Sequence, residues 1–174
     1  MTQSSPGTET QRKTGLTMMI FAWIILFGLI ALFFDDWLGD QANPNQTPVA
    51  SLNGSRIEVT LQPNRQHHYV VSGRINNHAV TFILDTGATD VVVPAALARQ
   101  IGLAPGQQSM ADTANGWVAV YATVLDSVEI ADIRLSNVRA SINPGMEGDT
   151  VLLGMSALRQ IEFAQRGDTL ILRQ

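Results

Sequence analysis

Apolar positions along this chain follow two different patterns. From Leu16 to Phe34 they run unbroken, "LTMMIFAWIILFGLIALFF", nineteen residues without a charge. As a helix rising about 1.5 Å per residue this run spans roughly 28 Å, the hydrocarbon thickness of a bilayer. It is apolar all round, with Met18, Met19 and Trp23 as lipid-facing filler, so an amphipathic core helix is a poor fit. Arg12 and Lys13 precede it and Asp35 and Asp36 follow, which puts residues 1–15 in the cytoplasm and everything after the span outside. The run is longer than the apolar stretch of a secretory signal, and no small-x-small cleavage site follows. The pattern therefore predicts an uncleaved anchor across residues 16–34, in contact with lipid. In a Gram-negative cell that means a single-pass inner-membrane protein facing the periplasm.

Residues 35–55 are polar, and from Gly39 they are rich in Asn, Gln, Pro, Gly and Ser. They are expected to form a flexible linker reaching on the order of 20–25 Å. From Arg56 to Gln174 the period becomes two. "RIEVTL" alternates at Ile57, Val59 and Leu61, the mark of a half-buried strand. "HYVVSGRI" and "AVTFIL" follow, joined by a tight turn at "NNH". After "VVV", the segment "PAALARQIG" opens on Pro and closes on Gly, which predicts one short helix. "SMADTANGWVAVYATV" reads as a hairpin turning on Asn115-Gly116. Further strands lie in "LDSVEI", "IRLSNVRASI" and "TVLLG". A second short helix, "MSALRQ", and a closing hairpin, "IEFAQRGDTLIL", complete the chain. Short strands with frequent turn signals predict a mainly β domain, a barrel or sandwich.

Composition narrows the classes. The chain has 174 residues, a formal charge of -4 and no cysteine. Disulfides and thiolate metal sites are excluded, and no run of Lys and Arg suggests nucleic acid. His67 and His68 are adjacent, so on a strand they point to opposite faces and do not clasp one metal. No metal and no organic cofactor is expected.

One stretch carries candidate chemistry. "FILDTGATDVVVP" places a lone carboxylate, Asp85, in a turn between two apolar strands. Gly87 allows a backbone N–H to approach that carboxylate without a side chain intervening. Thr86 offers a hydroxyl to lock the turn, and Ala88 is small enough for close packing. The apolar flanks hold the turn rigid. Sixty-six residues after this motif comes "VLLGMSAL", an apolar pair and a glycine entering a helix.

Together these residues resemble the retropepsin-like aspartic proteases, and among them the bacterial membrane-anchored members, which join one transmembrane helix to a single Asp-Thr-Gly-Ala lobe. "HYVVSGRIN", "FILDTGAT", "TANG" and "LLGMSAL" carry the likeness, across roughly Glu58 to Leu172. The resemblance implies a single-lobe acid-protease barrel over residues 56–174, with one or two short helices. It implies that Asp85, Thr86 and Gly87 are catalytic, with Thr86 in a threonine grip across the dyad. Leu152, Leu153 and Gly154 would thread behind the turn. The hairpin at Asn115, Gly116 and Trp117 would be the flap, and Ala88 and Asp90 would border the substrate. Viral members carry an Asp and an Arg where this chain has Thr89 and Met155, so that ion pair is replaced as a unit.

Aspartic catalysis needs two carboxylates sharing one proton, and the chain holds one Asp-Thr-Gly. A homodimer cleaving peptide bonds, with one Asp85 from each copy, is the expected assembly. The alternative is an inactive tethered β-domain that binds extended peptides.

Overall fold

The structure, a computed structural model, describes residues 7–113 and 116–174, with side chains from residue 15 onward except at 35–36. The chain divides into two compact units, the first ending at Gly39 and the second running Asp40–Gln174. Helix α1 (Gly7–Ala42), nearly all of it in the first unit, extends beyond the apolar run at both ends. Its portion Gly15–Ala42 is long and apolar enough to cross a membrane.

The second unit is almost wholly β. In chain order it holds β1 (Ala50–Asn53), β2 (Arg56–Leu61), β3 (Val70–Ile75), β4 (His78–Leu84), β5 (Val91–Pro94), α2 (Ala95–Gln100), β6 (Gln108–Thr113) and β7 (Gly116–Ile130). Then follow β8 (Ile133–Asn143), β9 (Thr150–Leu153), α3 (Met155–Leu158), β10 (Glu162–Arg166) and β11 (Thr169–Arg173). The strands and two short helices expected from the pattern are observed, except that "LDSVEI" continues the hairpin strand β7 rather than forming a strand of its own. Asn76 and Asn77 both adopt positive φ, which a two-residue hairpin loop between β3 and β4 requires.

Seven strands form one sheet in the order β3-β4-β9-β5-β8-β7-β6, and β3 also pairs with β7, which closes it on itself. Gly73 makes that closure possible. A Cβ there would stand 2.3 Å from the Glu129 carbonyl oxygen and 2.7 Å from the Phe82 ring. The interior is filled by Phe82, Val71, Ile75, Val91, Leu125 and Leu153, all buried. Each such side chain contributes about 1.5–3 kcal/mol relative to exposure.

A second sheet, β1-β2-β11-β10, gathers the two ends of the domain. Val59 and Leu172 face the core on one side. On the other, Glu58 accepts from Arg173, and Glu162 accepts from Arg56. The hydrogen bond from Arg173 holds the Glu58 carboxyl below its ordinary value of 4.5, with Asn53 adding to it against partial burial. The folded pKa lies below the unfolded one, so this contact stabilises fully above about pH 4.5 and its contribution is lost as pH falls through the lowered value. The melting temperatures of the wild type and Glu58→Gln should therefore converge as pH drops below that range.

Residues 43–53 differ from the expected tether. Asn45 is 7% exposed. Its Nδ2 donates to the Gln62 and Val70 carbonyls, and its Oδ1 accepts from Gln62 N. Its backbone bridges to Val71, and β1 adds a strand to β2. A polar composition conceals this because one amide satisfies three backbone groups that would otherwise be buried without partners. Asn45→Ala should destabilise the domain by about 2–4 kcal/mol, measurable as a lower midpoint in urea unfolding.

Candidate active site

The site grows out of strand connectivity. β4 runs parallel to β9, and β9 lies beside β5 on its other edge. The chain leaves β4 at Leu84 and re-enters the sheet at Val91, so residues 85–90 arch over the end of β9. Asp85 N donates to the Leu153 carbonyl at 3.2 Å. That bond continues the β4–β9 ladder one residue beyond Leu84 and fixes where the carboxylate begins.

Within the arch, Gly87 N donates to Asp85 Oδ1 at 2.8 Å, and Ala88 N donates to the Asp85 carbonyl. The N–H aimed at that oxygen fixes the orientation of the carboxylate. The need for glycine at 87 is spatial. A Cβ would press to 3.2 Å of that same Oδ1. Asp85 and Ala88 are half-buried, while Thr86 and Gly87 are exposed.

Leu152 and Leu153 bring β9 under the arch, and Gly154 passes directly beneath it. Met155 N donates to the Ala88 carbonyl and Ser156 N to the Thr89 carbonyl, at 2.8 and 2.9 Å. Leu153 thus bonds to Asp85, Gly154 lies beneath Ala88 and Asp90, and backbone bonds join the two segments where Thr89 and Met155 stand.

Two residues absent from the sequence reading complete the support. Ser156 Oγ accepts from Val91 N at 3.0 Å and donates to the Arg139 carbonyl at 2.6 Å. Arg139 Nε donates to Asp90 Oδ1 at 2.7 Å. Asp90, expected at the substrate's border, thus has one carboxylate oxygen occupied by β8. The only sequence signal for Ser156 was a hydroxyl in the first turn of a short helix, and Arg139 had none.

The hairpin β6–β7 is the other expected part. Its pairing ends at Thr113↔Gly116, so Gly116 begins a strand with φ of 97° rather than lying inside the loop. Asn115 lies outside the described residues. Trp117 pairs with Asp112 and shares a face with Met110. Both are exposed, at 69% and 57%. The opposite face carries Val118, whose Cγ1 is 3.4 Å from where a Gly145 Cβ would stand, and the buried Val120. Ala111 and Val118, rather than Trp117, therefore line the side of the hairpin turned toward the domain. Among the described residues, no group of three His, Asp or Glu is placed to hold a metal.

Residues 71–160, just over half of the chain, match the family described as gag-polyprotein putative aspartyl protease. A curated relative, an uncharacterized protein in the cobV 5'region of Sinorhizobium sp, is 28% identical over 134 residues, which cover 75% of this chain. The match spans 58% of that relative's own length. Among solved structures, the chain is similar to a retropepsin-like aspartic protease from Rickettsia conorii, with 25% identity and a TM-score of 0.57. That alignment covers 73% of this chain and 94% of the other. It is also similar to EIAV protease complexed with the inhibitor HBY-793, at 18% identity, 56% and 90% coverage and a TM-score of 0.45.

Proposed function

The chain belongs to the gag-polyprotein putative aspartyl protease family, and from that membership we propose that it is an aspartic endopeptidase active as a homodimer. The observation that carries this is Asp85 itself. A single carboxylate stands in a rigid turn, one oxygen held by the Gly87 N–H and the backbone locked to Leu153.

With a second copy across a two-fold axis, two such carboxylates share one proton, because like charges about 3 Å apart do not both ionise. The ionised one activates water and the protonated one donates to the peptide carbonyl. Thr86 and Gly87, exposed on the turn, are the residues that would face the second copy. An extended peptide would lie between the paired turns and the hairpin, held by its backbone as an added strand. Helix α1 would anchor the enzyme in the bacterial inner membrane, with residues 1–15 cytoplasmic and the β-domain in the periplasm. Confinement to a bilayer raises the effective concentration of the copies.

Mixing the wild type with Asp85→Asn chains tests the shared site. If two carboxylates are required, cleavage of a library peptide falls with the square of the wild-type fraction. An equal mixture then keeps about one quarter of the activity. If one chain suffices, about one half remains and the dimeric dyad is wrong.

A further inference from the structure

Three elements meet at one hydroxyl beside the catalytic arch. Ser156, in the first turn of α3, accepts from Val91 N at 3.0 Å and donates to the Arg139 carbonyl at 2.6 Å. Val91 is the residue on which the arch ends and β5 begins, and it pairs with Ala140, the residue after Arg139. The oxygen therefore ties the far foot of the arch to β8 and to the helix that follows β9.

The other attachments of the arch are of two kinds. Asp85 N to the Leu153 carbonyl, Met155 N to the Ala88 carbonyl and Ser156 N to the Thr89 carbonyl are backbone bonds. Any side chain at 156 other than proline leaves them in place. The Arg139–Asp90 ion pair uses a guanidinium side chain that is 63% exposed, and a pair of that kind contributes little. Ser156 differs from both. It is half-buried, and without its oxygen the Val91 N–H and the Arg139 carbonyl lose a shared partner. Those two groups must then draw together or take in water.

Which part moves is set by burial. β8 is fixed on either side of Arg139 by Val138 and Ala140, and α3 by Ala157 and Leu158, all at most 1% exposed. None of residues 85–90 is buried. The displacement therefore passes into the arch, and Asp85 is its other end.

We infer that Ser156 is a positioning residue, which sets where Asp85 stands by pinning the far foot of its arch. The inference rests on the endopeptidase reading. In that reading each copy supplies one arch, so a single substitution displaces both carboxylates of a dyad that must meet at about 3 Å. A misplacement of about 1 Å costs on the order of 10²-fold in rate.

The test uses the full chain in detergent and a peptide that it cleaves, with Ser156→Thr, Ser156→Val and Ser156→Ala compared well below their melting temperatures. Thr and Val have the same shape and only Thr carries the oxygen, so their difference isolates the hydroxyl from packing. Ser156→Val should fall below Ser156→Thr in kcat by about 10- to 100-fold, with KM within about twofold. Ser156→Ala, which adds no bulk, should fall below the wild type by the same factor, and it decides the matter if Thr or Val does not fold. Equal kcat with and without the oxygen, or a difference confined to KM, overturns the inference. So does a loss that vanishes as protein concentration rises, since dissociation of the copies would then explain it. If the wild type cleaves nothing, the endopeptidase reading fails, and the pinning of the arch is judged by amide hydrogen exchange. Faster exchange across residues 85–91 in Ser156→Val than in Ser156→Thr supports it, and equal exchange overturns it.

Discussion

Asp85→Asn is expected to lower peptide cleavage by about 10⁴-fold or more while leaving the fold intact. The two effects separate because Asn keeps the shape of Asp. Its Oδ1 accepts from Gly87 N as the carboxylate oxygen does at 2.8 Å, and the Asp85 N–H to Leu153 carbonyl bond is backbone and unaffected. What is lost is the capacity to hold and release a proton. In a homodimer the substitution removes both the base that activates water and the acid that protonates the carbonyl. Product formation from a fixed peptide, read beside the melting temperature, checks both parts. The midpoint should move by no more than about 2 °C. Undiminished cleavage would assign the activity to another residue and remove the basis for the shared dyad.

Gly154→Ala should do the opposite, acting on the fold first and on activity through it. A Cβ at 154 would stand 2.1 Å from the Asp90 carbonyl oxygen and 2.7 Å from that of Ala88. Both are backbone atoms of the arch, so no side chain can rotate away. Relief requires either β9 to sink into the core, against the buried Val151 and Leu153, or the arch to lift and carry Asp85 with it. Overpacking of this kind costs about 3 kcal/mol, which lowers the midpoint by roughly 10 °C in a domain of this size. Gly87→Ala is the contrast. There the nearest atom is the Asp85 side-chain oxygen at 3.2 Å, so the fold should tolerate it while the carboxylate is pushed off its N–H. Thermal unfolding and cleavage measured on both variants separate a clash with the backbone of the arch, at 154, from a displaced carboxylate, at 87. Equal stability of Gly154→Ala and the wild type would remove the first explanation.

Local periodicity and short motifs determined much of this protein from the sequence alone. The apolar run from Leu16 to Phe34, the alternation in "RIEVTL", the paired Asn turn and the Asp-Thr-Gly turn are each set by residues a few positions apart, and the strands appear where that spacing puts them. That the segment around Gly154 would lie behind the Asp85 turn was implied by the family resemblance and not by spacing, and Gly154 lies beneath Ala88 and Asp90. Tertiary structure alone decided the rest. Asn45 lay in a stretch whose composition reads as a tether, and it is buried because carbonyls 17 and 25 residues away need its amide. Asp90 is held by Arg139, 49 residues distant, and the side of the hairpin that Trp117 occupies follows from cross-strand register. Each is a contact between residues far apart in the chain. Such contacts leave no periodic trace, since a hydrogen bond constrains where its partners meet in space rather than how they are spaced in sequence.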